Sequence, residues 1–395
     1  MKPVRPADRA EALSQRQRAK MARGAQTYVR GATTHFYDWL EKAGPSLPQG
    51  PAVWICGDCH HGNLGPVANH KGEVAIQIRD LDQTVIGNPA HDLTRLALSL
   101  ASAARGFDLP GIATARMVEQ IVEGYQQALR EEDGGLGQEP KIIHTLLKAS
   151  KRRGWDHLAR ERIADLEPTI PLGKRFWPLS AEERVALGEL AASHEIHDLI
   201  RGLHSRSSES AVKMLDAAYW VKGCSSLGRL RFAVLFGVGG KAEGQQFSLV
   251  DIKEAVKAAA PRALRARMPR DNAERVVEGA RHLAPYLGDR MRAARLLGKS
   301  VFVRELLPQD LKLDIERMSA SDAAQTAHFL AAVVGRAHGR QMSPDDRSAW
   351  ADELGRHRSK SLDAPSWLWR SVVDLMAAHE AAYLEHCRRC AAVAA

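Results

Sequence analysis

Residues Gly57-Asp58-Cys59-His60-His61-Gly62-Asn63 constrain this chain more than any other stretch. They follow the apolar run Val53-Trp54-Ile55-Cys56, so a short buried strand is expected to end in a glycine-bounded turn. That turn presents a carboxylate and, five residues on, a carboxamide. A second acidic cluster, Asp80-Leu81-Asp82, closes another apolar run, Val74 to Ile78. A carboxylate that takes a proton and oxygen donors that hold a divalent cation are what two such turns supply when they meet. The fold must therefore bring two strand ends together.

The other runs give the setting. Residues 8–44 carry a helical apolar stripe, and Asn88-Pro89 is a helix start, with Asn as cap and Pro in the first turn. Helix-rich sequence continues to about residue 205. Three strand-like runs follow, Ala217 to Val221, Leu230 to Phe236 and Phe247 to Ile252, then a helix over Asp271 to Leu283 and a strand at Val301-Phe302-Val303. After Pro308 the pattern is helical again. The expected fold is α+β: a first helical part over 1–205 holding both acidic turns, a small β-rich part over 206–306, and a helical remainder over 307–395.

Composition narrows the partners. The 395 residues carry a net charge of +9, which favours anionic ligands. The basic runs Lys151-Arg152-Arg153 and Arg262 to Arg270 lack the interleaved aromatics of a single-strand groove, so a nucleotide accounts for the charge and no nucleic acid is expected. The segment Met1 to Arg23 is polar, and no run of ~18 apolar residues occurs, so a cytoplasmic protein without membrane contact is expected. Five cysteines in this length do not make a disulfide framework.

The first motif resembles the Gly-Asp-x-His-x-x-Asn catalytic loop of aminoglycoside phosphotransferases and related small-molecule kinases. The second, Arg79-Asp80-Leu81-Asp82-Gln83 followed by Gly87-Asn88-Pro89-Ala90-His91-Asp92-Leu93, resembles their metal-binding Asp cluster and the segment after it. The resemblance implies Asp58 as the base that takes the acceptor proton, Asn63 and Asp80 as magnesium ligands, Asp82 as an aid to a second metal, and Asp92 as a brace of the catalytic loop. In the β-rich part, Gly223, Ser225, Ser226 and Gly228 stand in a Gly-x-Gly-x-x-Gly-like turn with Ser225 at the middle glycine. Lys253 ends the third strand, where a kinase places the lysine that meets the ATP phosphates. Glu274, or else Glu278, is its expected partner from the next helix, and Val301 to Leu306 stands where a hinge would.

These parts run in an unusual order. The catalytic loop and metal Asp precede the glycine turn and lysine, so the resemblance implies a two-lobed, protein-kinase-like fold in circularly permuted order with a helical large lobe. The implied function is ATP- and magnesium-dependent phosphoryl transfer to a hydroxyl of a small molecule. The alternatives are a nucleotide-binding regulator without turnover and AMP transfer on the same fold. The whole chain also resembles DUF2252, a bacterial family of unknown function, through Arg30-Gly31, the turn at 57–63, Asp80 and Asp82, the glycine-rich turn at 223–228, and Lys253-Glu254-Ala255.

Other readings of the same residues are weaker. Cys56-x-x-Cys59-His60 matches a c-type haem attachment, but that chemistry needs export. Cys56 and Cys59 with Cys387 and Cys390 could hold zinc, though the second pair falls on a helix. A metallophosphoesterase opens with Gly-Asp-x-His but needs a Gly-Asn-His that is missing downstream. His338 reads as a packing histidine, and Lys174 to Pro178 as a basic-aromatic surface turn.

Overall fold

The computed structural model describes residues 4–43, 46–106, 111–131, 134–153, 169–203, 206–207, 209–224, 227–239, 246–310, 319–356 and 366–394. The architecture is α+β. Four strands come early and short: β1 Val53–Ile55, β2 Leu64–Ala68, β3 Val74–Ile78 and β4 Val85–Gly87. They pair antiparallel as β1 with β4 and β2 with β3, so one hairpin is nested inside another pair. Six later strands, β5 Phe176–Trp177, β6 Val212–Trp220, β7 Arg231–Val238, β8 Gln246–Glu254, β9 Met291–Leu296 and β10 Lys299–Leu306, form one antiparallel sheet in the order β5-β6-β7-β8-β10-β9.

Strand alternation divides that sheet into two faces. On the back, Phe232, Val234, Val250, Ile252, Val301 and Val303 pack against Leu187, Ile196, Leu199 and Ile200, and against Leu13 of the helix Arg9–Met21. Helices Ala181–Ala191 and His194–Arg201 thus cover the back of the sheet, although they fall between β5 and β6 in sequence. On the front, Ala218, Trp220, Ala233, Leu235, Leu249 and Leu306 form a small apolar cluster at one end. At the other end the front face carries Arg231, Asp251 and Lys253, and in-register Arg304 opposite Asp251. Charged groups on a sheet face that ends in a cavity, not in core, mark where a polar ligand is met.

The largest core lies in the helical body, where Ala90–Gly106, Gly111–Arg130 and Ala320–Gly339 pack with the early strands. Gly124 and Gly335 stand at the closest approach of the last two helices. A Cβ on Gly335 would come within 2.7 Å of the Tyr125 carbonyl oxygen, so Gly335 lets the backbones meet.

Two local expectations change. The stretch 8–44 is not one helix but Arg9–Met21, Ala25–Gly31 and Thr33–Ala43, broken at Gly24 and at Ala32, whose φ of −104° and ψ of 52° leave the helical region. The break turns Arg30 and Thr33 toward the early strands. The basic-aromatic turn at 174–178 is instead a sheet edge: Phe176 and Trp177 are buried as β5, paired with Trp220 and Tyr219.

Candidate functional site

Nesting explains how two turns far apart in sequence meet. With β1 paired to β4 and β2 to β3, the loop 56–63 and the loop 79–84 are forced to lie side by side. Cross-links hold them there. Arg79 N donates to Asn63 O at 2.7 Å, Thr84 Oγ1 to Ile55 O at 2.6 Å, and the Cys56 thiol to Asp80 O at 3.4 Å.

The first turn is braced from below. Asp92 is fully buried and its carboxylate accepts from the backbone N–H of Cys56 at 2.7 Å and of Gly57 at 2.9 Å. His338 Nε2 stands 3.2 Å from Asp92, its Nδ1 2.9 Å from Tyr125 Oη, and Trp350 donates to that hydroxyl at 3.2 Å. His338 is therefore a buried support of Asp92. Gly57 takes φ 74°, and a Cβ there would overlap the Gln83 carbonyl oxygen, so only glycine fits.

Asp58 is nearly buried, 8% exposed, and both carboxylate oxygens are engaged. Oδ1 accepts from Arg95 Nε at 2.9 Å and Oδ2 from Thr33 Oγ1 at 3.0 Å. Two lone-pair positions remain of the roughly four a carboxylate offers. Asn63 donates its amide to the Asp58 carbonyl at 3.0 Å, which ties the two ends of the turn together.

Asn63 and Asp80 line a cavity of about 450 Å³ together with Gly223, Arg231, Asp251 and Lys253. Lys253 is 3% exposed and lies across this space from the early strands, donating to Asp80 Oδ1 at 3.3 Å and pairing with Asp82 Oδ2. Among the described residues, the other cations on its wall are Lys20, Arg30, Arg79, Arg153, Lys222 and Arg304, against carboxylates of Asp80, Asp251 and Asp310. Enclosure pushes the Asp80 carboxyl up, but the Lys253 ammonium and a hydrogen bond from Asp82 outweigh it and hold Asp80 well below the ordinary range. Burial and then the Asp80 charge push Asp82 up to about 6. The two carboxylates share one ammonium, and the more exposed one keeps the charge.

The remaining expected residues fall unevenly. Gly223 and Gly228 take φ 96° and 97°, and Lys20 Nζ holds the Gly223 carbonyl at 2.7 Å. Gly228 does not reach the cavity, and Ser225 and Ser226 lie outside the described residues. Glu274 does not pair with Lys253. It is exposed on the first turn of the helix Asn272–Leu283, its N–H capped by Asp271 at 3.2 Å, and Glu278 pairs with Arg281 and His282. Arg275 faces inward instead, donating to the carbonyls of Asp82 at 3.1 Å, Val256 at 2.9 Å and Thr84.

Several residues of the site carry no local sequence signal. Arg95 and Thr33 hold Asp58 from elsewhere in the chain. Asp251 pairs with Arg231, whose Nε lies 2.9 Å away. Asp310 accepts from Arg290 and Arg304 at 3.2 Å each, and Arg79 donates to its carbonyl at 3.0 Å. Arg30 has no hydrogen bond or ion pair among the described residues; its guanidinium lies over Gly62, where a Cβ would stand 2.8 Å from Nη2.

The model of the family described as "Uncharacterized protein conserved in bacteria" (DUF2252) matches residues 9–389. The chain belongs to the DUF2252 family. That match covers both acidic turns, the sheet and the helical body, so the site belongs to the family's shared extent. No curated protein and no solved structure is detectably similar to the chain. Among the described residues no helix is long and apolar enough to cross a membrane.

Proposed function

We propose that this DUF2252 protein is an ATP- and magnesium-dependent phosphotransferase acting on a hydroxyl of a small molecule, with its sheet and helical body serving as kinase-like lobes in circularly permuted order. The single observation that carries the reading is the meeting of Asn63, Asp80 and Lys253 with Gly223 in one cation-rich cavity. The lysine strand β8 lies directly beside β10, so Val301 to Leu306, expected to stand where a hinge would, is an interior strand of the same sheet paired with β8 and β9.

The donor set fits magnesium arriving with a nucleotide. Among the described residues no three His, Cys, Asp or Glu side chains are arranged to hold a metal alone. Magnesium commonly takes one or two carboxylates and fills its shell with phosphate oxygens and water. Asp80 and the Asn63 carboxamide oxygen reach the cavity, and Asp82 Oδ1 is buried without a hydrogen-bond partner. Bound there, magnesium would neutralise charge on the transferring phosphoryl group. Lys253 and Arg30 would meet phosphate oxygens, and Asp58, held by Arg95 and Thr33, would orient the acceptor hydroxyl and take its proton.

The engagement of both Asp58 oxygens favours one second reading, a nucleotide-binding protein without turnover, because a carboxylate held by Arg95 on one oxygen and Thr33 on the other serves as a structural link of the turn. Two variants separate the readings. Asp80→Asn is expected to weaken magnesium-dependent ATP binding in calorimetry. Asp58→Asn keeps an oxygen acceptor for Arg95 and is expected to retain binding while lowering turnover ~10²–10⁴-fold. Equal loss of binding in both contradicts the assignment, and wild-type protein that binds but never consumes ATP supports the second reading.

A further inference from the structure

A second cavity, of about 1050 Å³, is lined by residues that contact the Asp58 turn. Its wall includes Thr33, whose hydroxyl donates to Asp58 at 3.0 Å, and Ala260, whose Cβ would lie 3.1 Å from one built on Gly57. Gln83, from the second acidic turn, also lines it and accepts from Ala259 N at 2.7 Å. The Asp58 turn thus adjoins both cavities: its Gly62 and Asn63 line the Lys253 cavity, and Thr33 and Gln83, which contact Asp58 and Gly57, line this groove. In a transfer between two bound molecules, the catalytic carboxylate is needed where their sites adjoin.

The charge of the groove selects its ligand. Arg229, Lys257, Arg262, Arg270 and Arg275 line it, and among the described residues no Asp or Glu does. Arg275 is consumed by backbone carbonyls, but the other four have no ion pair among the described residues. Lys257, Arg262 and Arg270 are exposed on one loop, 255–271, within which Arg265 holds φ 64° and Leu264 stands 96% exposed. A polyamine or amino sugar would meet only like charge here. The volume exceeds the ~300–1,000 Å³ of common small-ligand pockets, enough for a molecule with a charged tail as well as its reacting end.

We infer that this groove is the acceptor site and that the acceptor is an alcohol already bearing a phosphate or comparable multiply charged anionic group. The inference rests on the phosphotransfer reading above. The anion would be gripped by Lys257, Arg262 and Arg270, which leaves the hydroxyl directed at Asp58. There the hydroxyl oxygen forms the new O–P bond as the bond between the γ-phosphorus and the β-bridging oxygen breaks. ADP leaves with that electron pair, and the hydroxyl proton passes to the Asp58 carboxylate.

The test uses full-length protein with inorganic pyrophosphate as the anionic probe, after the nucleotide cavity is filled with magnesium and a non-hydrolysable ATP analogue. Saturable pyrophosphate binding is expected, weakened roughly tenfold or more in the Lys257→Ala/Arg262→Ala/Arg270→Ala variant. Affinity for the ATP analogue should change by less than about twofold in that variant, since the loop charges lie outside that cavity. Ribose 5-phosphate should compete with pyrophosphate and ribose should not. Unchanged pyrophosphate affinity in the triple variant overturns the inference, as does tighter displacement by a single-stranded oligonucleotide than by ribose 5-phosphate. If the ATP analogue fails to bind while pyrophosphate binding still depends on the three cations, the phosphotransfer reading falls and the anion site stands.

Discussion

Lys253→Met keeps the aliphatic stem and removes the ammonium, and so probes the site at its most connected point. The lysine side chain is 4% exposed and contacts both Asp80 and Asp82. Breaking a buried ion pair from one side costs about 3–5 kcal/mol, because the partner charge is left behind. The Asp80 share is discounted, since that side chain is 49% exposed and water screens it. Asp82, 15% exposed, bears most of the penalty but escapes part of it by taking a proton, as its pKa already stands near 6. A loss of about 2–3 kcal/mol at pH 7 is therefore expected, read by urea unfolding followed by circular dichroism. Lys253→Met/Asp82→Asn removes the stranded charge and should regain about half of that stability. It should not regain ATP, because on the proposed reading the lost ammonium is the phosphate contact; both variants should bind magnesium-ATP about tenfold or more weakly. Wild-type ATP affinity in Lys253→Met refutes the reasoning, and so does recovery of affinity together with stability in the double variant.

Gly57→Ala should lower stability by about 2–4 kcal/mol, from a left-handed residue and the forced shift of the Gln83 carbonyl; a melting temperature equal to wild type would show that the turn is not so constrained. Asp271 caps the helix that carries Arg275, accepting from Ala273 N at 2.8 Å, and Asp271→Ala should cost about 1 kcal/mol at pH 7. Although its partial burial raises the Asp271 pKa, hydrogen bonds from Ser300 and the helix N–H groups lower it overall. A depressed folded pKa stabilises above the unfolded value near 3.9 and is lost as pH falls through the folded one. The gap between wild type and Asp271→Ala should thus narrow as pH falls below the unfolded value of about 3.9, and a gap that stays constant there would remove the cap from the account.

What the sequence made legible was local. The apolar runs before Gly57 and Asp80 end where strands end, and Asn88 starts a helix, its Oδ1 accepting from Ala90 N at 3.0 Å. Asp92 lies where the comparison of motifs expected a brace, because its spacing from Pro89 is fixed by a single helix turn. The helix after β8 was legible too, but its partner residue was misread. Ala273, Val276, Val277 and Ala280 form its buried stripe, and Glu274 lies off it. That rotation could have been read from the apolar spacing, which excludes Glu274 from the sheet side. Arg95, Thr33, Arg30 and Lys20 could not be found in this way. Each acts on a group far along the chain, and a charged residue on an amphipathic helix looks the same whether it meets solvent or a carboxylate.

Electrostatics then limits what the Lys253 cavity can hold. Asp251 is neutralised by Arg231, Asp310 by Arg290 and Arg304, and Asp80 shares Lys253 with Asp82. The carboxylates are thus spent on neighbours while further cations line the same wall. Two like charges 4 Å apart repel by about 4 kcal/mol at an effective dielectric of 20, so on the proposed reading an anion is the ligand that this wall favours. A bare metal dication would add charge of the wrong sign and compete with Lys253 for Asp80. A nucleotide that brings its own metal reverses both objections: its phosphates answer the arginines and lysines, and draw Lys253 from the carboxylates that the metal would need. On the proposed reading, the same cations that make a bare metal site poor favour a metal-nucleotide complex.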